Sequence, residues 1–569
     1  MSLLNFSKAN CRNCYKCLRT CQVKAVKIKN DQAGIVEERC IGCGQCLVVC
    51  PQDARNIKSD LEDVKAAIKQ GKQVIASIAP SFVGAFNMPT EGCLPGALSS
   101  LGFSLVEETA VGAEVVAKLY EKAVHEGKQE NLITTCCPSA NYLVDRYFPS
   151  LTKYLMPMVS PMLAHGKLLK KKYGYDSYVV FIGPCTAKKV EALSFQHKGT
   201  IDAVLTFEEL TKWLEEEAIN LNEVEPQEYA AAAGFKGQAF PLIGGVLDSF
   251  GDSSLYEKLR VDGIANCMEI FKSIEEGNLK GVCLEVNVCN GGCLNGPGMP
   301  KSRKDFYFRQ KKVKAYVEKD RSSGIDEAAA MEGLDFSKVF ISRPIVRNMA
   351  SDSGIKEILE GMGKYEPSDE LNCGGCGYNT CREKAQAVYE GMAEMNMCLP
   401  FMRGKAESVT NVIFENTPNV IMFIDEKLNV KEVNPTAQKI FGVKEDFIKE
   451  RPISILMDEE PFKTVRDSKK SLLGQRVSYS NYGVVLLQNI LYLEKQNIML
   501  AIMSNITKEE KQRDELKRVR ENAIDAAQKV IEKQMRVAQE IASLLGETTA
   551  ETKVTLTKLK EIALQDTGE

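Results

Sequence analysis

The sequence predicts a multidomain chain of mixed α/β and α+β structure, on three observations. Its 569 residues exceed what a single hydrophobic core serves, so three or more domains are expected. Between about residues 72 and 345, short apolar strands alternate with helical stretches, as in a mostly parallel sheet covered by helices. The 20 cysteines fall into tight groups and stop at Cys398, so the last 171 residues, without a thiol, form a different kind of domain. A net charge of −3 gives no electrostatic reason to expect nucleic acid or acidic lipid as a partner. No apolar run reaches the length of a membrane span, and the start MSLLNFSKANC lacks a signal-peptide pattern. A cytoplasmic protein with no membrane partner is expected, and in a reducing compartment clustered CxxC spacing reads as metal ligation rather than disulfide bonding.

The first element, residues 1–60, carries Cys11-x2-Cys14-x2-Cys17-x3-Cys21 and then Cys40-x2-Cys43-x2-Cys46-x3-Cys50-Pro51. This repeated run resembles the two-cluster bacterial ferredoxins over roughly residues 5–58. In that pattern the fourth cysteine of each run ligates the other cluster. The resemblance therefore implies that Cys11, Cys14, Cys17 and Cys50 hold one 4Fe-4S cluster and Cys40, Cys43, Cys46 and Cys21 hold its neighbour. Gln22 stands where a proline is usual, which removes no ligand. Eight cysteines without a ligand histidine argue against a zinc module.

In the second element, residues 61–365, the apolar runs at 74–79, 179–182 and 281–286 each end where a cysteine- or proline-containing motif begins. Open α/β sheets build their sites on such strand ends. Neither GxGxxG nor GxxxxGK[ST] occurs, so neither a nicotinamide fingerprint nor a phosphate loop is present. Three segments read TTCCPSA (134–140), GPCTAKKVE (183–191) and EVNVCNGGCLNG (285–296). Together they resemble the active-site motifs of the iron-only (FeFe) hydrogenases, a two-lobed α/β catalytic domain. The resemblance implies that Cys137, Cys185, Cys289 and Cys293 hold a 4Fe-4S cube. It further implies that Cys293 bridges to a two-iron unit carrying CO, cyanide and an azadithiolate, the whole being the H-cluster. Lys188 matches the lysine that hydrogen-bonds an iron-bound cyanide, Ala79-Pro80-Ser81 and Ser160-Pro161 match segments lining the diiron unit, and Cys136 matches the thiol that passes protons. The implied reaction is reversible oxidation of H2 to protons and electrons.

Several positions depart from that pattern. Asn287 and Gly183 stand where methionines are usual, and Met162 where glutamine is common. Tyr120 and Ala123 fall where two relay glutamates sit, and Met156 where a relay serine is expected. Proton transfer needs titratable groups within hydrogen-bond reach, so slow turnover is expected, with Glu285 or water as a substitute path. Cys93, Cys267 and Cys283 read as small buried hydrophobes, and His125, His165 and His197 match no ligand motif.

A third element, residues 366–404, contains Cys373-x2-Cys376-x4-Cys381-x16-Cys398 within NCGGCGYNTC and the helical stretch 382–396 after it. It resembles the small 4Fe-4S domain of corrinoid iron-sulfur proteins, with four-thiolate zinc as the alternative. Residues 405–508 resemble a PAS domain through FENTPNVIMFID, NVKEVNPTAQKIFGV and LAIMSNITKEEKQR, in that order. No His or Cys lies in that segment, which leaves haem and flavin adducts unsupported. The end, 509–569, reads as helices. Ile524, Ile531, Ala538 and Leu545 recur every seven residues, with Ala527 and Ile541 in the second seam position. Gly546 marks a break before a shorter helix through Val554, Leu559 and Ile562.

The expectation is a sensory-type FeFe-hydrogenase that responds to H2 or redox state through its PAS domain and helices. It would be a homodimer, with H2 and protons as reactants, a redox partner such as ferredoxin, maturation enzymes, and a separate signalling output protein. Two alternatives stay open. One is a hydrogenase-like iron-sulfur protein without a diiron site; the other is a metabolic ferredoxin-dependent hydrogenase.

Overall fold

In a computed structural model, described for residues 4–6, 10–231, 234–252, 254–301, 305–319, 331–494, 496–545, 554 and 557–558, the chain divides into two compact units, Met1–Phe401 and Met402–Glu569.

The amino-terminal cysteine runs fold as two similar halves. Each run bends sharply after its second cysteine, at Tyr15 (φ 57°) and Gly44 (φ 68°), and a short helix carrying the third cysteine follows, Lys16–Thr20 or Gln45–Val48. Strands Val26–Lys29 and Gln32–Ile35 pair antiparallel, as do Leu4–Phe6 and Arg55–Ile57. The halves differ where they face outward. A Cβ on Gly44 would lie 2.7 Å from both Pro297 Cγ and Thr186 Oγ1, so only glycine lets this half approach the second element.

That second element holds two parallel sheets. The larger has the order Leu105–Glu108, Val74–Ile78, Tyr178–Gly183, Ala203–Thr206. The smaller has the order Glu257–Asp262, Val282–Asn287, Leu132–Ile133. Every residue of Val74–Ile78 is buried, as expected for a strand covered by helices on both faces. Strand ends supply the motifs: Pro80 and Ser81 follow Val74–Ile78, Cys185 follows Tyr178–Gly183, Cys136 and Cys137 follow Leu132–Ile133, and Cys289 follows Val282–Asn287. Helices Ala110–Glu126 and Pro161–Tyr173 cross closely at Gly112, where a Cβ would meet Pro161 O at 2.4 Å and His165 N at 2.6 Å.

Cys373 and Cys376 lie in a loop, Cys381 opens helix Cys381–Tyr389, and Cys398 follows a 3-10 turn, Met395–Met397. The helical reading of 382–396 is thus too long. The chain turns back at once, with Met392 N–H bonding Ala387 O (2.8 Å), a closure typical of helix C-termini. This segment packs on the first cysteine runs. Leu18, Val26, Ile28 and Ala33 share one apolar cluster with Tyr378, Ala387, Met392 and Met397. Arg19 donates to Gly375 O (3.1 Å) and Lys24 to Gly377 O (2.7 Å).

The second unit is a five-stranded antiparallel sheet of order Val430–Val433, Val420–Asp425, Ile498–Asn505, Val484–Leu493, Leu472–Tyr479. Its core includes Met422, Phe441, Phe462, Ile490 and Met503. Asn434, fully buried, caps helix Pro435–Phe441 by accepting from Ala437 N–H (3.0 Å) and donates to Phe414 O and Asn419 O. Helix Thr507–Leu545 follows and includes the heptad positions Ile524 to Leu545; Gly546, Leu559 and Ile562 lie outside the described residues. Among the described residues no helix is long and apolar enough to cross a membrane.

Candidate functional site

The cysteines of each run lie close together in space. Cys11, Cys14, Cys17 and Cys50 line one space of about 390 Å³. Cys21, Cys40, Cys43 and Cys46 surround each other, and burial followed by their mutual charge pushes the Cys46 thiol up to about 12. Cys373, Cys376, Cys381 and Cys398 line a third space of about 380 Å³. None of the 20 cysteines is paired in a disulfide. Cys93, Cys267 and Cys283 are buried, Cys267 within the apolar cluster on which Cys21, Cys40 and Cys43 pack. Sulfur-rich donor sets of this kind suit iron-sulfur clusters. Sequence reading missed Arg55. It is buried, hydrogen-bonds Cys17, and its charge opposes the rise at Cys40 and Cys46, so one guanidinium serves both amino-terminal sets.

A cavity of about 620 Å³ in the second element is walled by Pro80, Ser81, Cys136, Cys137, Cys185, Lys188 and Cys293, and on the other side by Phe240, Pro241, Val246 and Asn287. Cys289 completes the group. Burial raises its thiol, and Cys185, Cys137, Cys293 and Cys43 raise it further. Cys43 thereby joins the amino-terminal element to this site, with Thr186 Oγ1 donating to Gly42 O (2.9 Å) at the same seam. Cys137 occupies the N-cap position of helix Pro138–Tyr147, with no side-chain capping bond. Cys185 receives the backbone N–H groups of Lys188 and Ala187.

Lys188 reaches the cavity from helix Ala187–Ala192 and donates to Glu191 Oε2 (2.7 Å) and Cys136 O (3.3 Å). Burial alone would lower its pKa, but the Glu191 carboxylate outweighs burial and holds it raised. Glu191 is held at about 2. Burial works against ionisation, while Lys188, Lys338 and the Ser160 hydroxyl (2.8 Å) prevail. Ser160 thus serves Glu191, and its neighbours Pro161 and Met162 reach the cavity wall. Ser81 Oγ is buried in that wall without a hydrogen-bond partner. An orphaned buried hydroxyl costs free energy unless a polar guest meets it, so the donors present fit a cofactor with polar ligands.

Burial pushes the Cys136 thiol up to about 12. Its hydrogen-bonding neighbour is Tyr120 OH at 3.4 Å. That hydroxyl accepts from Thr135 N–H (2.8 Å) and lies 3.1 Å from Thr135 Oγ1, which donates to the backbone carbonyls of Met156 and Met158. The sequence ends there in carbonyls that carry no proton. Glu285, the expected substitute, accepts from the N–H groups of Gly244 (2.8 Å), Val246 and Leu247 (3.1 Å each). It clamps the loop that presents Val246 to the cavity. No motif signalled that loop in the sequence.

Residues 72–297 match the domain family described as iron only hydrogenase large subunit, C-terminal domain. Residues 33–56 match a 4Fe-4S binding domain, 369–400 a putative Fe-S cluster family, and 410–476 a PAS domain. Iron hydrogenase 1 of Clostridium pasteurianum is 28% identical over 414 residues, covering 59% of this chain and 72% of the relative. The periplasmic Fe hydrogenase large subunit of Nitratidesulfovibrio vulgaris is 27% identical, covering 42% and 71%. The cytosolic Fe-S cluster assembly factor narfl of Xenopus tropicalis is 23% identical, covering 41% and 60%. Among solved structures, FeFe-hydrogenase HydA1 from Chlamydomonas reinhardtii aligns with 51% of this chain and all of its own, at 18% identity and a TM-score of 0.41. The chain contains an iron-only hydrogenase large-subunit domain, a ferredoxin-type 4Fe-4S motif and a PAS domain, and its homologues include both hydrogenases and iron-sulfur assembly factors.

Proposed function

We propose that the chain reversibly oxidises H2 to two protons and two electrons, slowly, and that the reaction reports H2 or redox state through the PAS domain and its following helix. The observation carrying this reading is the single cavity that joins Cys137, Cys185 and Cys293 to Cys136, Lys188 and the orphaned Ser81 hydroxyl. A cube alone needs only thiolates; a buried ammonium and an unmet hydroxyl suit the anionic, polar ligands of a diiron unit.

When bound, the H-cluster supplies the heterolytic cleavage of H2. Cys137, Cys185, Cys289 and Cys293 hold it. Lys188, oriented by Glu191, would donate to an anionic ligand of that group, and the Ser81 hydroxyl would offer it a further hydrogen bond. The Cys136 thiol stays protonated near neutrality and passes a proton at the cavity wall. Phe240, Pro241 and Val246 exclude bulk water. Cys43, beside Cys289, would give electrons an exit toward clusters held by the amino-terminal cysteines, and the third set, packed on that element, would offer a further exit. The match of residues 369–400 to a putative Fe-S cluster family supports a cubane there over one zinc ion. The hydroxyl path beyond Cys136 ends in carbonyls, so turnover is limited to what another, longer proton path carries. The signalling role rests on the PAS fold and on helix Thr507–Leu545, whose Leu516, Val519, Val530, Val537 and Ile541 are exposed and favour pairing with a second copy.

Infrared spectra of anaerobically matured protein, with and without H2, test the reading. Iron-bound CO and cyanide bands that shift with H2 are expected. Loaded cubes without such bands, under conditions that mature a control hydrogenase, would leave an iron-sulfur binding or assembly protein in its place.

A further inference from the structure

Beyond Cys136, another wall residue of the cavity opens onto a buried polar line. Thr109, at the end of strand Leu105–Glu108, lines the cavity, and its Oγ1 lies 2.7 Å from Ser77 Oγ. Ser77 Oγ lies 2.8 Å from His165 Nδ1. His165 Nε2 lies 3.1 Å from Glu107 Oε2. Glu107 Oε1 in turn accepts from Tyr173 OH (2.6 Å) and Lys172 Nζ (2.8 Å). Ser77, Thr109, His165 and Glu107 are all buried, whereas the Lys172 side chain is 51% exposed.

We propose that Thr109, Ser77, His165 and Glu107 form a proton relay between the cavity and the surface at Lys172 and Tyr173, replacing the route that ends behind Cys136. The inference rests on the H2 chemistry proposed above and goes beyond it by assigning the proton path.

Every link is a group that can accept a proton at one point and release one at another. Imidazole does so through its two ring nitrogens, a hydroxyl through its lone pairs and its hydrogen. Inward passage moves one proton and no electrons. The Glu107 carboxylate takes up a proton from solvent at Lys172 and Tyr173 only in passing and delivers it to His165 Nε2. Nδ1 releases one to Ser77 Oγ, Ser77 releases its own to Thr109 Oγ1, Thr109 releases one into the cavity, and Glu107 returns to the carboxylate. Each O–H or N–H broken is matched by one formed, and hydroxyl rotation resets the line. H2 oxidation runs the same sequence outward.

The Ser–His–Glu order also invites a hydrolytic reading, but Ser77 and His165 are fully buried, so no acyl substrate reaches them. As packing alone, the line would be costly. Burying a carboxylate, an imidazole and two hydroxyls between helix and strand gains nothing over apolar side chains of the same volume. Close crossing at Gly112 is what brings His165 to Ser77.

Glu107→Gln and His165→Gln keep size and hydrogen bonding while removing proton carriage. Full-length wild type and both variants, matured together, should show the same CO and cyanide bands. Isotope exchange between H2 and D2O, which needs no electron partner, should fall at least about tenfold in each variant. A second readout needs no cofactor. The chain has three histidines, so ¹⁵N-histidine spectra of the unmatured protein resolve His165 by its loss in His165→Gln, and Glu107→Gln should shift its ring nitrogens. Normal bands with exchange within about twofold of wild type, or ring signals indifferent to Glu107→Gln, overturn the relay alone. Missing bands in wild type overturn the H2 chemistry and the relay with it, which separates the two failures.

Discussion

Lys188 Nζ and Glu191 Oε2 lie 2.7 Å apart, one turn apart on a short helix and both buried at the cavity wall. Lys338 contacts the second carboxylate oxygen at 3.0 Å, so Glu191 holds a cation of the site against a cation of the shell. Replacing Glu191 by Gln leaves a buried ammonium without its counter-charge, which costs on the order of 3–5 kcal/mol. Thermal unfolding of Glu191→Gln should show a clearly lower melting temperature, and infrared spectra a weaker loading of iron-bound cyanide. A variant with wild-type melting and loading would mean that Lys188 does not depend on this partner.

Acid should find a second weak point at Glu107. Burial opposes its ionisation, but hydrogen bonds and charge from His165, with Lys172 and Tyr173, hold it at about 2, below its ordinary 4.5. A carboxylate depressed on folding stabilises fully above its unfolded pKa, and that contribution disappears as pH falls from about 4.5 through about 2. The stake is on the order of 3 kcal/mol. Denaturant melts of wild type and Glu107→Gln across that window should converge as pH drops; parallel curves would refute the assignment.

Gly44 sets how closely the amino-terminal element meets the site. Alanine there would meet Pro297 and Thr186 at 2.7 Å and sit at φ 68°, costing on the order of 1–3 kcal/mol. Tyr15, its counterpart at φ 57° in the other half, shows that the conformation itself tolerates a side chain when nothing is in the way. Gly44→Ala is expected to lower the melting temperature and slow reduction of the amino-terminal clusters by H2, seen by stopped-flow absorbance. Unchanged reduction would place the electron exit elsewhere.

Cys376→Ala tests the third set. Loss of about four iron atoms per chain is expected if a cubane sits there, with the CO and cyanide bands retained because the cavity shares no residue with it. Loss of one zinc with iron unchanged would assign the set to zinc instead.

Much of the site was legible because its signals are local. CxxC spacing brings thiols together through one or two turns, and the Cys11 and Cys373 sets each surround one space. Apolar runs ending at motifs became parallel strands, with Pro80 and Ser81, Cys185 or Cys289 just past their carboxyl ends. The helical stretch after Cys381 was overextended because its composition stays helix-compatible past Tyr389, while the turn at Met392 closes through a backbone bond no side chain announces. Arg55, Glu191 and the 244–247 loop went unread for another reason. A buried Arg or Glu looks like any solvated charge until its neighbours are known. His165 matched no ligand motif, yet it stands between Ser77 and Glu107, 88 and 58 residues away in sequence.

Residue chemistry and short-range spacing settle which groups can ligate, because backbone geometry over a few residues leaves them few places to go. Long-range packing chooses which of those groups share a cavity, which charges find partners, and which half of the amino-terminal element faces the site. Those choices depend on the approach of segments hundreds of residues apart, such as Arg19 to Gly375, and on clearances of tenths of an ångström such as those at Gly44 and Gly112.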